Sequence, residues 1–370
     1  MTQSPPSLST VSPVLCAAFE LSASRWRVAF TDGHRHRQVS IDAGDFERLT
    51  QQIKKARQHF KLGEDVPLHS CYEAGRDGFW IHRRLLAMGA RNLVVDSASI
   101  EVSRRAKRSK TDTQDAESLS KLLVRHVRGE RRVWSIARVP SVEMEDARRV
   151  DRERGRLTKE KTAHQARIRS LLALKGVKLK HFSELETALA RLRRWHAHLV
   201  VEIEREVARL NLVLDQLREL DRECEQLLKE EKLPWAKKVS QLQTLKGFGR
   251  VSATSIVSDF FGWREFKNGK QVGAAAGLTP TAYSSGSINR EQGISKAGSR
   301  RMRRIMVEVA WTWLRYQPQS ALSKWFESRF AKNGGRSRRV GIVGLARKLL
   351  VAVWQFVENG VIPEGALMKA

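Results

Sequence analysis

Val14-Leu-Cys-Ala-Ala-Phe-Glu-Leu21, Trp26-Arg-Val-Ala-Phe-Thr31 and Arg37-Gln-Val-Ser-Ile41 are the three runs that decide how this chain folds. Each is short, apolar or alternating, and made of residues that suit a pleated, half-buried surface, so each predicts a strand. Asp32-Gly33 has the residues of a tight hairpin turn between the second run and the third. Outward from these runs the pattern alternates. A helix is expected over residues 45–60, a strand over 67–73, a helix over 78–88, a strand over 92–96, and a helix opening at Thr111 or Asp112.

Three strands followed by alternating helix and strand is the element order of a ribonuclease-H-like mixed α/β domain. We bound it at residues 14–140, because Val139-Pro140 interrupts a polar connection; residues 1–13, polar and rich in Ser and Pro, are expected to be disordered. The middle, residues 141–238, is charged and helical. A seven-residue count puts Leu189, His196, Ile203, Leu210, Leu217 and Cys224 on one seam. The other seam takes Leu192, Leu199, Glu206, Val213, Leu220 and Leu227. Ten of those twelve are apolar, which predicts a long antiparallel coiled-coil arm, with residues 142–174 as partner helix. Such an arm suits dimerisation, and a helical hairpin packed on its own chain explains the pattern equally well. Residues 239–370 are expected to form a mainly helical C-terminal domain, with helices over 299–316, 320–331 and 340–358. The fold class expected is therefore α/β plus all-α.

Sixty-eight Lys and Arg against forty Asp and Glu leave a formal charge of +28. Residues 296–348 hold fourteen of the cations, opposed only by Glu308 and Glu327. Charge of that density calls for a polyanionic partner, so nucleic acid comes first. A basic membrane-surface protein would need an exposed apolar helix face, and none stands out. The apolar stretch 340–357 carries Arg347 and Lys348 at its middle, so a buried amphipathic helix is expected there rather than a span. Residues 1–13 have no export signal. Cys16, Cys71 and Cys224 fit neither a disulfide framework nor a zinc site and predict a reducing, cytoplasmic setting.

Four acids stand out: Glu20, Glu73, Asp112 and Asp115. In a sheet of this order the first and fourth strands are neighbours, so Glu20 and Glu73 would project from one edge. Asp112 and Asp115, three apart at a helix start, share a face. Four carboxylates offer the oxygen ligands that Mg²⁺ or Mn²⁺ takes, with open positions for a phosphate. Taken alone, Asp112 and Asp115 read as helix capping. Glu20 falls where an alternating strand faces the core, and a buried carboxylate without a partner is costly.

Near residue 285 a Ser-Gly turn, Ser284-Ser285-Gly286, follows Pro280. A serine beside glycine can be offered on a tight exposed turn, and Ser285 is the candidate nucleophile. Lys296, Arg300, Arg301, Arg303 and Arg304 lie close by in sequence, and Arg336, Arg338 and Arg339 further on, as candidate phosphate ligands beside Ser284. Gly247 and Gly249, in Leu245-Lys-Gly-Phe-Gly-Arg250, have the look of a helix-hairpin-helix turn that lets backbone approach phosphate.

Taken together these pieces resemble the DEDD insertion-sequence transposases, site-specific recombinases related to the Piv invertase. The resemblance rests on Glu73-Ala-Gly, Lys110-Thr-Asp-Thr-Gln-Asp-Ala116, Leu245 to Arg250, Gly277-Leu-Thr-Pro280, Ser285-Gly286, Gly293-Ile-Ser-Lys296 and Ala346-Arg-Lys-Leu-Leu350. It implies a RuvC-like N-terminal domain, a coiled-coil dimerisation arm and a C-terminal transposase domain. It implies further that the acids bind divalent metal and that Ser285 forms a covalent phosphoserine link to DNA. Donor and target DNA would be chosen by a structured noncoding (bridge) RNA, in a homodimer or homotetramer acting at the bacterial nucleoid. The family pattern starts with Asp on the first strand where this chain has Glu20, one methylene longer. Two other functions fit the same residues: a metal-dependent nuclease of the Holliday-junction-resolvase type, and a non-catalytic nucleic-acid-binding protein.

Overall fold

In the computed structural model, which describes residues 13–75, 77–100, 112–130, 133–285, 288–331 and 334–369, the strand β1 (Leu15–Leu21) is buried from both sides. Its residues Leu15 to Phe19 are at most 1% exposed. That burial explains why the run is almost continuously apolar rather than alternating. β1 pairs antiparallel with β2 (Arg25–Thr31), which pairs antiparallel with β3 (His36–Asp42). On its other side β1 pairs parallel with β4 (Leu68–Glu73), which pairs parallel with β5 (Arg91–Val95). The sheet order is β3-β2-β1-β4-β5.

Helices cover both faces of this sheet. Leu15, Ala17 and Phe19 pack with residues of α1 (Phe46–Phe60) and α2 (Trp80–Ala87), among them Leu49, Phe60, Ile81 and Leu85. Cys16, Ala18 and Cys71 pack instead with Leu119, Leu122 and Leu123 of α3 (Asp112–Val127). Each fully buried Leu or Phe contributes about 1.5–3 kcal/mol. Asp45 caps α1 by accepting from the Arg48 amide at 2.7 Å, about 1 kcal/mol of helix stability. The strands and helices expected from the sequence here all form.

The chain divides into two compact units, Met1–Val139 and Pro140–Ala370. The second opens with α4 (Val142–Ala173), followed by α5 (Leu185–Arg193) and α6 (Ala197–Lys229). α4 and α6 run antiparallel: Arg154 meets Asp221 at 2.8 Å, and His164 meets Glu206 at 2.7 Å. The expected seam forms from Ile203 onward, where Ile203, Glu206, Leu210, Val213, Leu217 and Cys224 are all buried. Its first heptad does not. Counting from Leu189 crosses a helix break, because α5 ends at Arg193 and α6 starts at Ala197. Leu185 and Leu189 turn back to join Ile168, Leu172, Val200 and Ile203 in one cluster, and that packing requires the reversal.

The remainder packs around one core of α7 (Ala236–Gln243), α8 (Arg250–Ile256), α9 (Gly269–Ala275), α10 (Arg300–Tyr316), α11 (Ala321–Phe326) and α12 (Gly334–Asn359). π-helical turns extend α8 over Val257–Phe261 and α11 over Glu327–Ala331. α12 is long and apolar enough to cross a membrane. Its Leu345, Ala346, Leu349, Leu350 and Val353 are instead 0% exposed in the protein core. Around the Ser-Gly turn, Pro280–Ser285 (β6) and Ile288–Ile294 (β7) form an antiparallel hairpin that the sequence reading did not assign.

Candidate functional site

Strand alternation aims the first two acids. Cys16 and Ala18 face α3, so Glu20, two residues further, belongs to the same side of β1. Glu73 follows Cys71 in the same way on β4. Phe19 registers with Tyr72, which brings Glu20 and Glu73 level at the carboxyl ends of adjacent parallel strands. The connection order of the sheet reverses between β1 and β4, and open α/β sheets bind ligands in the crevice at such a point. There is a crevice here. An open cleft of about 390 Å³ is lined by Glu20, Glu73 and Asp77 together with Leu21, Ser22 and Gly75. A second cleft beside Glu20 is lined by Arg25, Arg27 and Ser40.

α3 comes to this end of the sheet. Arg128, just past its C-terminus, lies against Gly33 and close enough to act on the Cys16 thiol at the start of β1. Sixteen helical residues span about 24 Å and seven strand residues about 23 Å. The start of α3 therefore points toward the end of the sheet that holds Glu20. Asp112 is its first residue, with a side chain outside the described residues; Asp115 is half-buried one turn on. Among the described residues no three His, Cys, Asp or Glu side chains gather closely enough to hold a metal ion together. Glu20 and Glu73 are oxygen donors on one cleft, the chemistry that Mg²⁺ and Mn²⁺ prefer over nitrogen or sulfur. Asp77, which the sequence analysis did not single out, is a third carboxylate on the same wall. Its only sequence signal was proximity to Glu73.

Ser284 and Ser285 end β6, with Ser285 registered to Ile288 across a two-residue connection. Their side chains, and Gly286 itself, lie outside the described residues. The base of this hairpin is tied firmly. The Ser295 amide donates to the Thr279 carbonyl at 2.8 Å, and the Ser299 amide to the Ala275 carbonyl at 2.9 Å. Arg303 donates to the carbonyls of Ala276 and Lys296 at 3.1 and 3.2 Å. Gly277, at φ +66°, makes the turn these contacts close on.

The candidate phosphate ligands fall into two groups. Lys296, Arg300, Arg304, Arg336, Arg338 and Arg339 are exposed. Arg304 is 3.7 Å from Glu308, Arg338 lies over the Trp311 ring, and Arg339 donates to the Gly335 carbonyl. Arg301 and Arg303 are held within the protein. Arg301 reaches Asp151 and Asp259 at 2.6 Å each. These two carboxylates, 6% and 7% exposed, also receive Ser255, Ser258 and the buried Arg148. Burial pushes the Arg148 guanidinium below its ordinary range. The network ties α4 to the π-helical turn after α8 and to α10, a linkage that sequence spacing does not reveal. Gly247, at φ +95°, and Gly249, the N-cap of α8, form the turn between α7 and α8. Phe248 between them is buried against Trp313.

All three cysteines are free and buried. Burial pushes Cys16 up to about 12 and raises Cys71 as well, so neither offers a thiolate near neutral pH.

Comparison with known proteins finds similarity to transposases. The family described as Transposase IS116/IS110/IS902 matches residues 239–347. Protein y4rJ of Sinorhizobium fredii, which carries a transposase's name, is 40% identical over 381 aligned positions, covering 95% of this chain and 94% of that relative. The transposase for insertion sequence element IS1111A of Coxiella burnetii is 25% identical over 325 residues and 82% of each chain. The transposase for element IS1533 of Leptospira borgpetersenii is 24% identical over 269 residues, 70% of this chain and 74% of its own.

Proposed function

The chain belongs to the IS116/IS110/IS902 transposase family, and from that premise we propose that it cuts and rejoins the DNA of an insertion sequence through a serine nucleophile and an acidic cleft. The observation that carries this reading is the cleft shared by Glu20 and Glu73 at the reversal point of the sheet. The sheet order β3-β2-β1-β4-β5 supports the ribonuclease-H-like and RuvC-like reading of the first unit.

In the proposed reaction the Ser285 hydroxyl attacks a DNA phosphorus. An Oγ–P bond forms, the P–O bond to the leaving deoxyribose breaks, and the leaving oxygen takes up a proton. A deoxyribose hydroxyl of the second strand then attacks the phosphoserine and releases Ser285, so rejoining needs no external energy. Glu20, Glu73, Asp112 and Asp115 would hold Mg²⁺ or Mn²⁺, which supplies charge neutralisation at the phosphate. The exposed Arg300, Arg304 and Lys296 neutralise neighbouring phosphates and hold the strand in register. Arg303 acts at one remove by bracing the base of the hairpin that carries Ser285. A structured noncoding RNA as guide, an oligomer that supplies serine and acids from different copies, and action at the cytoplasmic nucleoid complete the proposal.

A denaturing gel of reactions on labelled element-end DNA tests it. The wild type is expected to leave a protein–DNA adduct, and Ser285→Ala to leave none while still binding DNA. An adduct that persists in Ser285→Ala refutes the nucleophile. Free cut ends without any adduct in the wild type favour the hydrolytic nuclease instead. Undiminished strand exchange in an Asp112→Ala, Asp115→Ala double variant refutes the role of the acids.

A further inference from the structure

The two most exposed large hydrophobic side chains among the described residues are Trp195, 73% exposed, and Leu174, 71% exposed. They are distant in sequence yet occupy the same end of the arm. Leu174 follows the last residue of α4 and Trp195 precedes α6, and those helices run antiparallel. The opposite end of the arm is embedded, with Met144, Ala147, Val150, Leu227 and Leu228 packed into the large C-terminal core. A 32-residue helix is about 48 Å long. Trp195 therefore stands some tens of ångströms from that core, at the distal end of the arm.

The tip is strongly basic. Residues 174–198 contain six Lys and Arg, three His, and only Glu184 and Glu186 as acids. Arg194 lies over the Trp195 ring, 4.9 Å from its centroid, and Arg169 over Phe182 at 4.7 Å. An aromatic face left open to solvent beside guanidinium groups is the combination that holds an unpaired strand, with a base on the ring and phosphates on the cations. A duplex keeps its bases stacked internally and offers only phosphates to such a surface. Tip-to-tip pairing of two copies would press like charge against like, which disfavours the homotypic alternative.

We propose that the distal end of the arm is a second DNA-contacting site, which takes a single-stranded DNA segment by stacking a base on Trp195 beside Arg194. This goes beyond the acid and serine chemistry and rests only on the chain acting on DNA. The site would hold the unpaired segment that strand cutting exposes, away from the core where the cutting occurs.

The test uses the full chain and short labelled DNA strands. Trp195→Ala is expected to weaken single-strand binding about 5- to 150-fold, Trp195→Phe to retain most of it, and both to leave duplex binding near wild type. An iodouracil-substituted strand should crosslink within residues 174–198. Single-strand affinity unchanged in Trp195→Ala, or crosslinks confined to other segments, overturns the proposal. So does a Trp195→Ala variant that changes sedimentation but not DNA binding, since the tip would then be a protein interface. An RNA strand that binds more tightly with the same dependence on Trp195 overturns the assignment to DNA. A wild type that binds neither strand nor duplex overturns the transposase reading as well.

Discussion

Replacing Arg301 by alanine separates two roles for a single guanidinium. From sequence it is one of a row of phosphate ligands; in the structure it bridges Asp151 and Asp259 at 2.6 Å each and also donates to the Asp151 carbonyl at 3.2 Å. Both carboxylates are almost wholly buried. Removing one partner of a buried ion pair costs about 3–5 kcal/mol, because a charge remains without its counter-charge. Two features reduce that figure. Arg301 is itself 27% exposed, and Arg148 and Arg152 stay 3.6 and 3.5 Å from Asp259 while Ser255 and Ser258 still donate to Asp151. A loss of about 3 kcal/mol is expected, or roughly 6–12 °C in the melting temperature of a unit this size. Near-ultraviolet circular dichroism should follow the transition, since Trp263 packs against Arg148 beside the network. Arg301→Lys should recover part of the loss, because a compact ammonium cannot span both carboxylates. DNA affinity of the folded Arg301→Ala protein should stay close to wild type. A variant that melts like wild type and has lost DNA affinity refutes this reasoning and restores Arg301 as a phosphate ligand.

Glu206 provides a pH-dependent counterpart. The hydrogen bond from His164, with Arg167 and Arg209 alongside, holds its carboxyl below the usual carboxylate range. Its contribution is therefore present above the ordinary carboxylate pKa and lost as pH falls through the lowered value. Thermal melts of the helical signal should drop in the wild type as the solution is acidified below the usual carboxylate range and flatten in Glu206→Gln, which should be about 1–3 kcal/mol less stable at neutral pH; identical pH profiles refute it. Gly277→Ala should cost about 1–3 kcal/mol and impair strand joining, because φ is +66° and a β-carbon would meet the Ala297 carbonyl oxygen at 2.5 Å; a melt and an activity assay matching wild type refute it. Cys16 and Cys71 should resist alkylation in the folded protein at mildly alkaline pH and react once urea unfolds it, and prompt labelling of the native chain refutes their burial.

Much of the first unit was legible because its signals are local. The apolar run of β1 and the Asp32-Gly33 turn each act within a few residues, and the period of two assigns Glu20 and Glu73 to a face once the strands are known. The hairpin that carries Ser285 was legible too, since Gly286-Ser287 between two alternating runs is a hairpin signature. The heptad count failed at its start. The seam takes a polar residue at His196, where the helix breaks, and Leu185 and Leu189 pack back against Ile168 and Val200.

The sequence by itself determined the strands and helices of the first unit, the excess of positive charge and the quoted motifs, since each follows from neighbours along the chain. Tertiary structure decided which of the cations remain exposed. Arg300 and Arg301 are adjacent and chemically identical, yet one is exposed and the other is bound to Asp151 and Asp259. The two carboxylates lie 150 and 42 residues away from Arg301 along the chain. Separation of that order leaves no periodicity to read. A buried charge is assigned its partner only when packing excludes water from both.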